Sequence, residues 1–233
     1  AIRNKRVTIP VMRHITKCYF KAWQLLELEE LEISYTYLGN DGTKVLATHL
    51  AQTCRLKEFI FTANHMGESA SQALIQALYA GGAAATLRKL SLAQNEITMV
   101  DDSLQILGQF TLLEYLDLGH NYINADNDRC LDVLSNTLSN LEHLSYLDLG
   151  YNRIQNVGVT MLYTDILPKL RKLETVKLRN CFLNPQLYET IRTLLKQLDL
   201  PLKHLDISEN IFIIEDVHEM KYFARIRGLE LLL

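Results

Sequence analysis

The amino-acid sequence predicts an α/β fold, a curved solenoid with a parallel sheet on its concave side and helices on its convex side. Three observations lead there. Two nine-residue phrases, YLDLGHNYI at 115–123 and YLDLGYNRI at 146–154, are nearly the same. The apolar spacing they share, L-x-x-L-x-L-x-x-N-x-L, recurs in seven consecutive copies. Behind most copies follow apolar or small residues four apart, the spacing of one helix face.

In chain order, residues 11–26 (VMRHITKCYFKAWQLL) place Met12, Ile15, Tyr19, Trp23 and Leu26 at helical spacing. Residues 1–27 are therefore expected to cap the stack with a helix, and 28–233 to form the repeat domain. The copies start at residues 28, 56, 87, 113, 144, 173 and 202, and an eighth starts at Leu229 with Leu232 in its fourth position. In each, alternate apolar residues such as Leu116 and Leu118 make a short strand with one buried face. Asn at position nine stands where the chain turns away, so its amide can bond backbone groups of neighbouring turns. Thr36 and Cys181 replace it in the first and sixth copies.

The second half of each unit reads as helix. Gly42, Leu46 and Leu50 share one face in the first unit, as do Ala70, Leu74 and Leu78 in the second. Gly158, Leu162 and Ile166 do so in the fifth, and Leu187, Ile191 and Leu195 in the sixth. Gly81-Gly82 should end the second unit's helix. Asp126 or Asp128 should cap the helix containing Cys130 to Leu138, and Asn184-Pro185 should open the sixth. The third unit, 26 residues long, has room only for a short helix. Strands about 4.8 Å apart converge more tightly than helices about 10 Å apart, so the stack has to curve.

This pattern resembles the leucine-rich repeat family, of the ribonuclease-inhibitor-like subtype, over residues 28–233. The resemblance implies a horseshoe. It also implies a non-catalytic scaffold for protein–protein interaction that grips a protein partner on its concave face and needs no cofactor. Ran GTPase-activating proteins look like the same subtype, so a GTPase regulator is the alternative, although no motif specific to them is present. The recognition part of a larger sensor or of a bacterial effector is a third reading.

Composition and motifs narrow the chemistry. A net charge of −3 and a pI near 6.2 provide no basic field for nucleic acid or an acidic membrane surface. No apolar run reaches membrane-spanning length, and charges interrupt the start, AIRNKRVTIPVMRH, where a signal peptide needs an apolar core. Cys18, Cys54, Cys130 and Cys181 include no CxxC pair, and there is no Asn-x-Ser/Thr sequon. A reducing, cytoplasmic setting is expected. The seven histidines form no HExxH pair. NADNDRC at 124–130 has calcium-like spacing, but Arg129 stands where that loop needs Gly and Ser135 where it needs Glu, so helix capping explains it better. No catalytic or metal-ligating set is expected.

Function should then lie in the outward positions three, five, seven and eight of each unit. In units four to six these give the candidate partner-binding residues Tyr115, Asp117, His120, Tyr146, Asp148, Tyr151, Lys177 and Arg179, with Tyr and Arg the types enriched at binding hot spots. The plainer reading is that the tyrosines stack on each other for stability and the aspartates suit a strand edge. At the other end RGLELLL offers Leu229, Leu231, Leu232 and Leu233 with no polar capping helix after them. A contact through the C-terminal edge, with further residues of the intact protein or a second chain, is therefore expected. Alternatively, Val217 to Ile226 closes that end.

Overall fold

The structure is a computed structural model, describing residues 2–3, 28–52, 55–197 and 200–233. Among the described residues nine strands form one open, all-parallel sheet in sequence order. They are β1 (Ile2–Arg3), β2 (Glu30–Ser34), β3 (Glu58–Ile60), β4 (Lys89–Ser91), β5 (Tyr115–Asp117), β6 (Tyr146–Asp148), β7 (Thr175–Lys177), β8 (His204–Asp206) and β9 (Glu230–Leu232). The helices are α1 (Gly39–Leu50), α2 (Glu68–Ala80), α3 (Asp128–Leu138), α4 (Gln155–Met161), α5 (Tyr188–Lys196) and α6 (Ile214–Arg227). In the third unit a 3₁₀ helix, Asp102–Gln109, stands in their place. The capping helix expected at 11–26 lies outside the described residues.

Register follows the apolar pattern. Leu31, Phe59, Leu90, Leu116, Leu147, Val176 and Leu205 pair across successive strands and are all buried. Two residues on, Ile33, Phe61, Leu92, Leu118, Leu149, Leu178 and Ile207 are buried as well. The helix positions read from the sequence, Leu46, Leu74, Leu162, Ile166, Ile191 and Leu195 among them, belong to the same core. One face of the sheet is thus covered by the helical layer while the other stays open.

The position-nine asparagines hold each turn to its neighbours. Asn121 Nδ2 donates to Leu92 O in the preceding unit (3.1 Å) and Leu118 O in its own (2.9 Å), while its Oδ1 accepts from Ile97 N–H (3.1 Å). Asn152 repeats this with Leu118 O, Leu149 O and Ile123 N–H. Asn64, Asn95 and Asn210 do the same in their units. Cys181 keeps only the donor: its thiol reaches Leu149 O at 3.2 Å. Burial pushes that thiol up to about 12 and Cys130 up to about 11, so both remain protonated core residues at neutral pH.

The residue before each ladder position is left-handed in all seven units: Tyr35, Ala63, Gln94, His120, Tyr151, Asn180 and Glu209 have φ between 48° and 57°. This conformation costs an L-residue about 1–2 kcal/mol. The buried amide ladder on either side compels it.

Three details depart from the sequence expectations. Asn127, not Asp126 or Asp128, caps α3 by accepting from Cys130 N–H (3.2 Å), and Asp128 is the first helical residue. Asp126 instead meets Arg153 and Gln155 of the next unit. In the eighth unit Leu205 pairs with Leu231, so Leu231 and not Leu232 occupies the inward position. The shift arises because Gly228, left-handed at φ 72°, closes α6 and feeds Leu229 N–H back to Ala224 O (2.9 Å). A one-residue slip exchanges faces, and Leu232 is accordingly exposed. Third, Glu68, at the start of α2, does what no pattern foretold. Its carboxylate accepts from the N–H groups of Thr98, Met99, Val100 and Asp101 and from the Thr98 hydroxyl, all at 2.8–3.1 Å. It thereby anchors the loop where the short third unit lacks a regular α-helix.

Two stability outcomes are expected. Leu118→Ala, which removes a wholly enclosed side chain, should cost roughly 2–5 kcal/mol in urea unfolding, and an unchanged midpoint would contradict the core assignment. Glu68→Ala should cost about 3 kcal/mol because several buried donors lose a charged acceptor. Glu68→Gln, with one carbonyl oxygen left, should fall between the two.

Candidate functional site

The eight residues singled out from the sequence are brought together on the open face of β5, β6 and β7 and in the turns that follow. Parallel pairing sets Tyr115 opposite Tyr146 and Asp117 opposite Asp148, with Lys177 next to Asp148. Because identical residues lie at one strand spacing, they contact face to face. The Tyr115 and Tyr146 rings stack at 4.2 Å and 7°, and His120 stacks on Tyr151 at 3.9 Å and 11°. Cations close these columns: Lys89 lies 5.5 Å from the Tyr115 centroid, Lys177 5.3 Å from that of Tyr146, and the Arg179 guanidinium 5.8 Å from that of Tyr151.

Each aspartate curls back onto its own turn. Asp117 Oδ1 accepts from Gly119 N–H (3.0 Å) and Oδ2 from the Ser91 hydroxyl (3.0 Å). Asp148 Oδ1 accepts from Gly150 N–H (2.9 Å) and Oδ2 from the Tyr146 hydroxyl (3.2 Å), with Lys177 Nζ 4.0 Å away. A Cβ on Gly119 would sit 3.2 Å from Asp117 Oδ1 and 3.3 Å from Asp148 Oδ1. The glycine of LDLG makes room for two carboxylates folded over adjacent turns.

Electrostatics follow from this crowding. Burial, and then the charge of Asp148, raise the Asp117 carboxyl above its ordinary range, while the Gly119 and Ser91 donors oppose the shift. Burial and the neighbouring aspartates raise both Tyr115 and Tyr146, so they are neutral phenols throughout the physiological range. Neither serves as a base or nucleophile near neutrality. Beside them Arg179 pairs with Glu209, which also accepts from the Tyr151 hydroxyl at 2.8 Å. The Arg179 hydrogen bond holds the Glu209 carboxyl below its usual value. Sequence reasoning passed over Glu209. The signal was present, because Glu209 occupies the same repeat position as His120 and Tyr151 and lies one unit beyond Arg179.

Taken across the whole face, the outward positions carry Glu30, Glu32, Glu58, Asp117, Asp148, Asp206, Glu209 and Glu230 against Lys89, Lys177 and Arg179. Eight carboxylates to three cations make a net of −5, on a chain whose total is −3. Among the described residues no cluster of His, Cys, Asp or Glu is placed to hold a metal ion, and no helix is long and apolar enough to cross a membrane.

The raised Asp117 carboxyl makes a pH prediction. With the folded value above the unfolded one, the native state binds this proton more tightly, so its contribution to stability is lost as pH rises through and beyond about 4. Asp117→Asn removes the charge and keeps an acceptor for Gly119. In thermal melts it should match or exceed the wild-type midpoint at pH 7, with the advantage shrinking toward pH 4. A variant whose offset is the same at both values would refute this account.

Comparisons with known proteins bear on one of these units. No curated protein sequence matches the chain. A family model described as Leucine Rich repeat matches residues 140–162, which hold β6, its turn and α4. With the register of nine paired strands, that match supports a leucine-rich repeat protein.

Proposed function

We propose that the chain is a non-catalytic protein-interaction module that holds a protein partner against the open, concave face of its sheet, across β5 to β7. Leucine-rich repeat domains generally mediate protein–protein interaction. The observation that carries the reading is the assembly of Tyr115, Asp117, His120, Tyr146, Asp148, Tyr151, Lys177 and Arg179 into one preordered patch on a face that no element of the described chain covers. Stacking and hydrogen bonds fix their rotamers before any partner arrives, which lowers the entropy lost on binding. Strands spaced more closely than helices would bend the stack around that face. A standard interface needs about 800 Å² per partner, which several adjacent strands and their turns can supply.

The stacking revises how the tyrosines act. Tyr115 and Tyr146 spend one ring face on each other and meet a lysine on the next, so they present edges and hydroxyls rather than broad faces. His120 and Tyr151, standing on left-handed residues at the ends of their turns, are the more projecting pair. At the C-terminal edge, β9 leaves one side unpaired and Leu232 is exposed, a second contact surface in the same reading.

Affinity capture from lysate tests the face. Tyr146→Ala combined with Tyr151→Ala should reduce recovery of the bound protein by about tenfold or more, while Asp132→Lys on the exposed side of α3 should not. The reverse result would place the partner on the helices.

A further inference from the structure

The open face is acidic out of proportion to the chain, and its three cations are already committed. Lys89 pairs with Glu58 at 3.4 Å, Lys177 with Asp148 at 4.0 Å, and Arg179 with Glu209. Asp117 and Asp206 have hydroxyl and amide donors but, among the described residues, no ion-pair partner.

A second feature borders the first. Two residues past the left-handed position, the chain stacks again in several units: Glu96 N–H reaches Met66 O (2.9 Å), Tyr122 N–H Ile97 O (2.9 Å), Arg153 N–H Ile123 O (2.8 Å) and Ile211 N–H Leu183 O (3.1 Å). The tenth residues of successive units share one repeat position, where strands hand over to helices. In units four, six and seven they are Tyr122, Phe182 and Ile211, exposed by 64%, 64% and 73%. Single exposed apolar residues are ordinary, but three at one repeat position, interrupted by Arg153 in unit five and adjacent at Phe182 and Ile211, mark an interaction surface beside a polar face.

We propose that this face takes a basic, amphipathic polypeptide segment, whose Lys or Arg side chains meet the Asp117–Asp148 pair while its apolar side chains cover Phe182 and Ile211. The inference rests on the protein-binding reading above and names the partner's chemistry. Charge complementarity selects the sign. A cation placed between the two aspartates forms charge-assisted hydrogen bonds to carboxylate oxygens that, among the described residues, share Lys177 as their one nearby cation. The same field repels phosphate-rich ligands. Dimensions agree: the aspartates and the apolar pair lie about two strand spacings, ~10 Å, apart along the stack, and a helix of three turns, about 16 Å, reaches both.

Three synthetic peptides of equal length separate the terms: a Lys/Leu amphipathic helix, its Glu/Leu counterpart, and a Lys/Ser peptide with no apolar side. Calorimetry on the full chain should show the Lys/Leu peptide binding tightest, weakening with added salt, and the Glu/Leu peptide not binding. Asp117→Asn with Asp148→Asn should weaken the Lys/Leu peptide by about tenfold or more and flatten its salt dependence. Phe182→Ser with Ile211→Ser should weaken it with the salt dependence intact. Asp128→Asn with Asp132→Asn, on α3, should leave it unchanged. Melting curves confirm that each variant is folded. If the Glu/Leu peptide binds, and the open-face variants alter that binding, the basic partner is wrong while the open-face reading stands. If only the α3 variant weakens the Lys/Leu peptide, both fail. If the Lys/Leu and Lys/Ser peptides bind alike and every carboxylate variant matters equally, the attraction is diffuse charge and the proposed segment is overturned.

Discussion

The fold depends on a side-chain amide at position nine in five of its seven turns, with Thr36 and Cys181 in the other two. An asparagine at position nine reads two backbones at once, donating to a carbonyl of its own unit and to one of the unit before, and accepting from an N–H of the preceding turn. Turning the chain away from a parallel strand leaves backbone groups that a buried loop cannot satisfy with water. The amide satisfies them in a space too small for a further backbone segment. Everything else inherits its spacing from that ladder. The strands pair in register, the preceding residue is driven into the left-handed region, and side chains at equal repeat positions meet their counterparts.

Local exceptions show how much latitude the ladder allows. Cys181 supplies a donor and little acceptor strength, while Asn210 in the next unit takes Cys181 N–H (2.8 Å) and Leu183 N–H (3.0 Å) just as Asn95 takes Asn64 N–H and Met66 N–H (both 3.1 Å). The third unit lacks a regular α-helix, and the Glu68 carboxylate gathers the loop's amide groups instead. After α4 the chain widens into a π turn, Leu162–Ile166, which keeps Leu162 and Ile166 inward. In each case a side chain or a change of helix type absorbs a local departure from the repeat. The sheet register does not change.

The open face uses the same spacing for a different end. Equal repeat positions stack, so a copied tyrosine becomes a ring pair and a copied aspartate becomes a carboxylate pair. The first is favourable and rigid. The second is half-buried, and burial first and then the Asp148 charge raise the Asp117 carboxyl. A fold selected for stability alone has no need of two half-buried carboxylates side by side. Sites that carry such a penalty are where sequence and local energetics disagree.

The sequence by itself determined the period, the strand positions, the inward leucines and the patch to which the variable outward residues belong. These follow from a pattern that repeats locally every 26 to 31 residues, so each unit can be read without knowing the others. Gly81-Gly82 ending α2 and Asn184-Pro185 opening the sixth unit's helical segment were legible for the same local reason. Tertiary structure decided what depends on a neighbour. It made Asn127 rather than an aspartate the cap of α3, turned Leu231 inward after the left-handed Gly228, drew Glu68 across to the third unit's loop, and joined Glu209 to Tyr151 over the intervening turn. Those partners lie in other turns of the chain, and only stacking brings them within hydrogen-bonding distance.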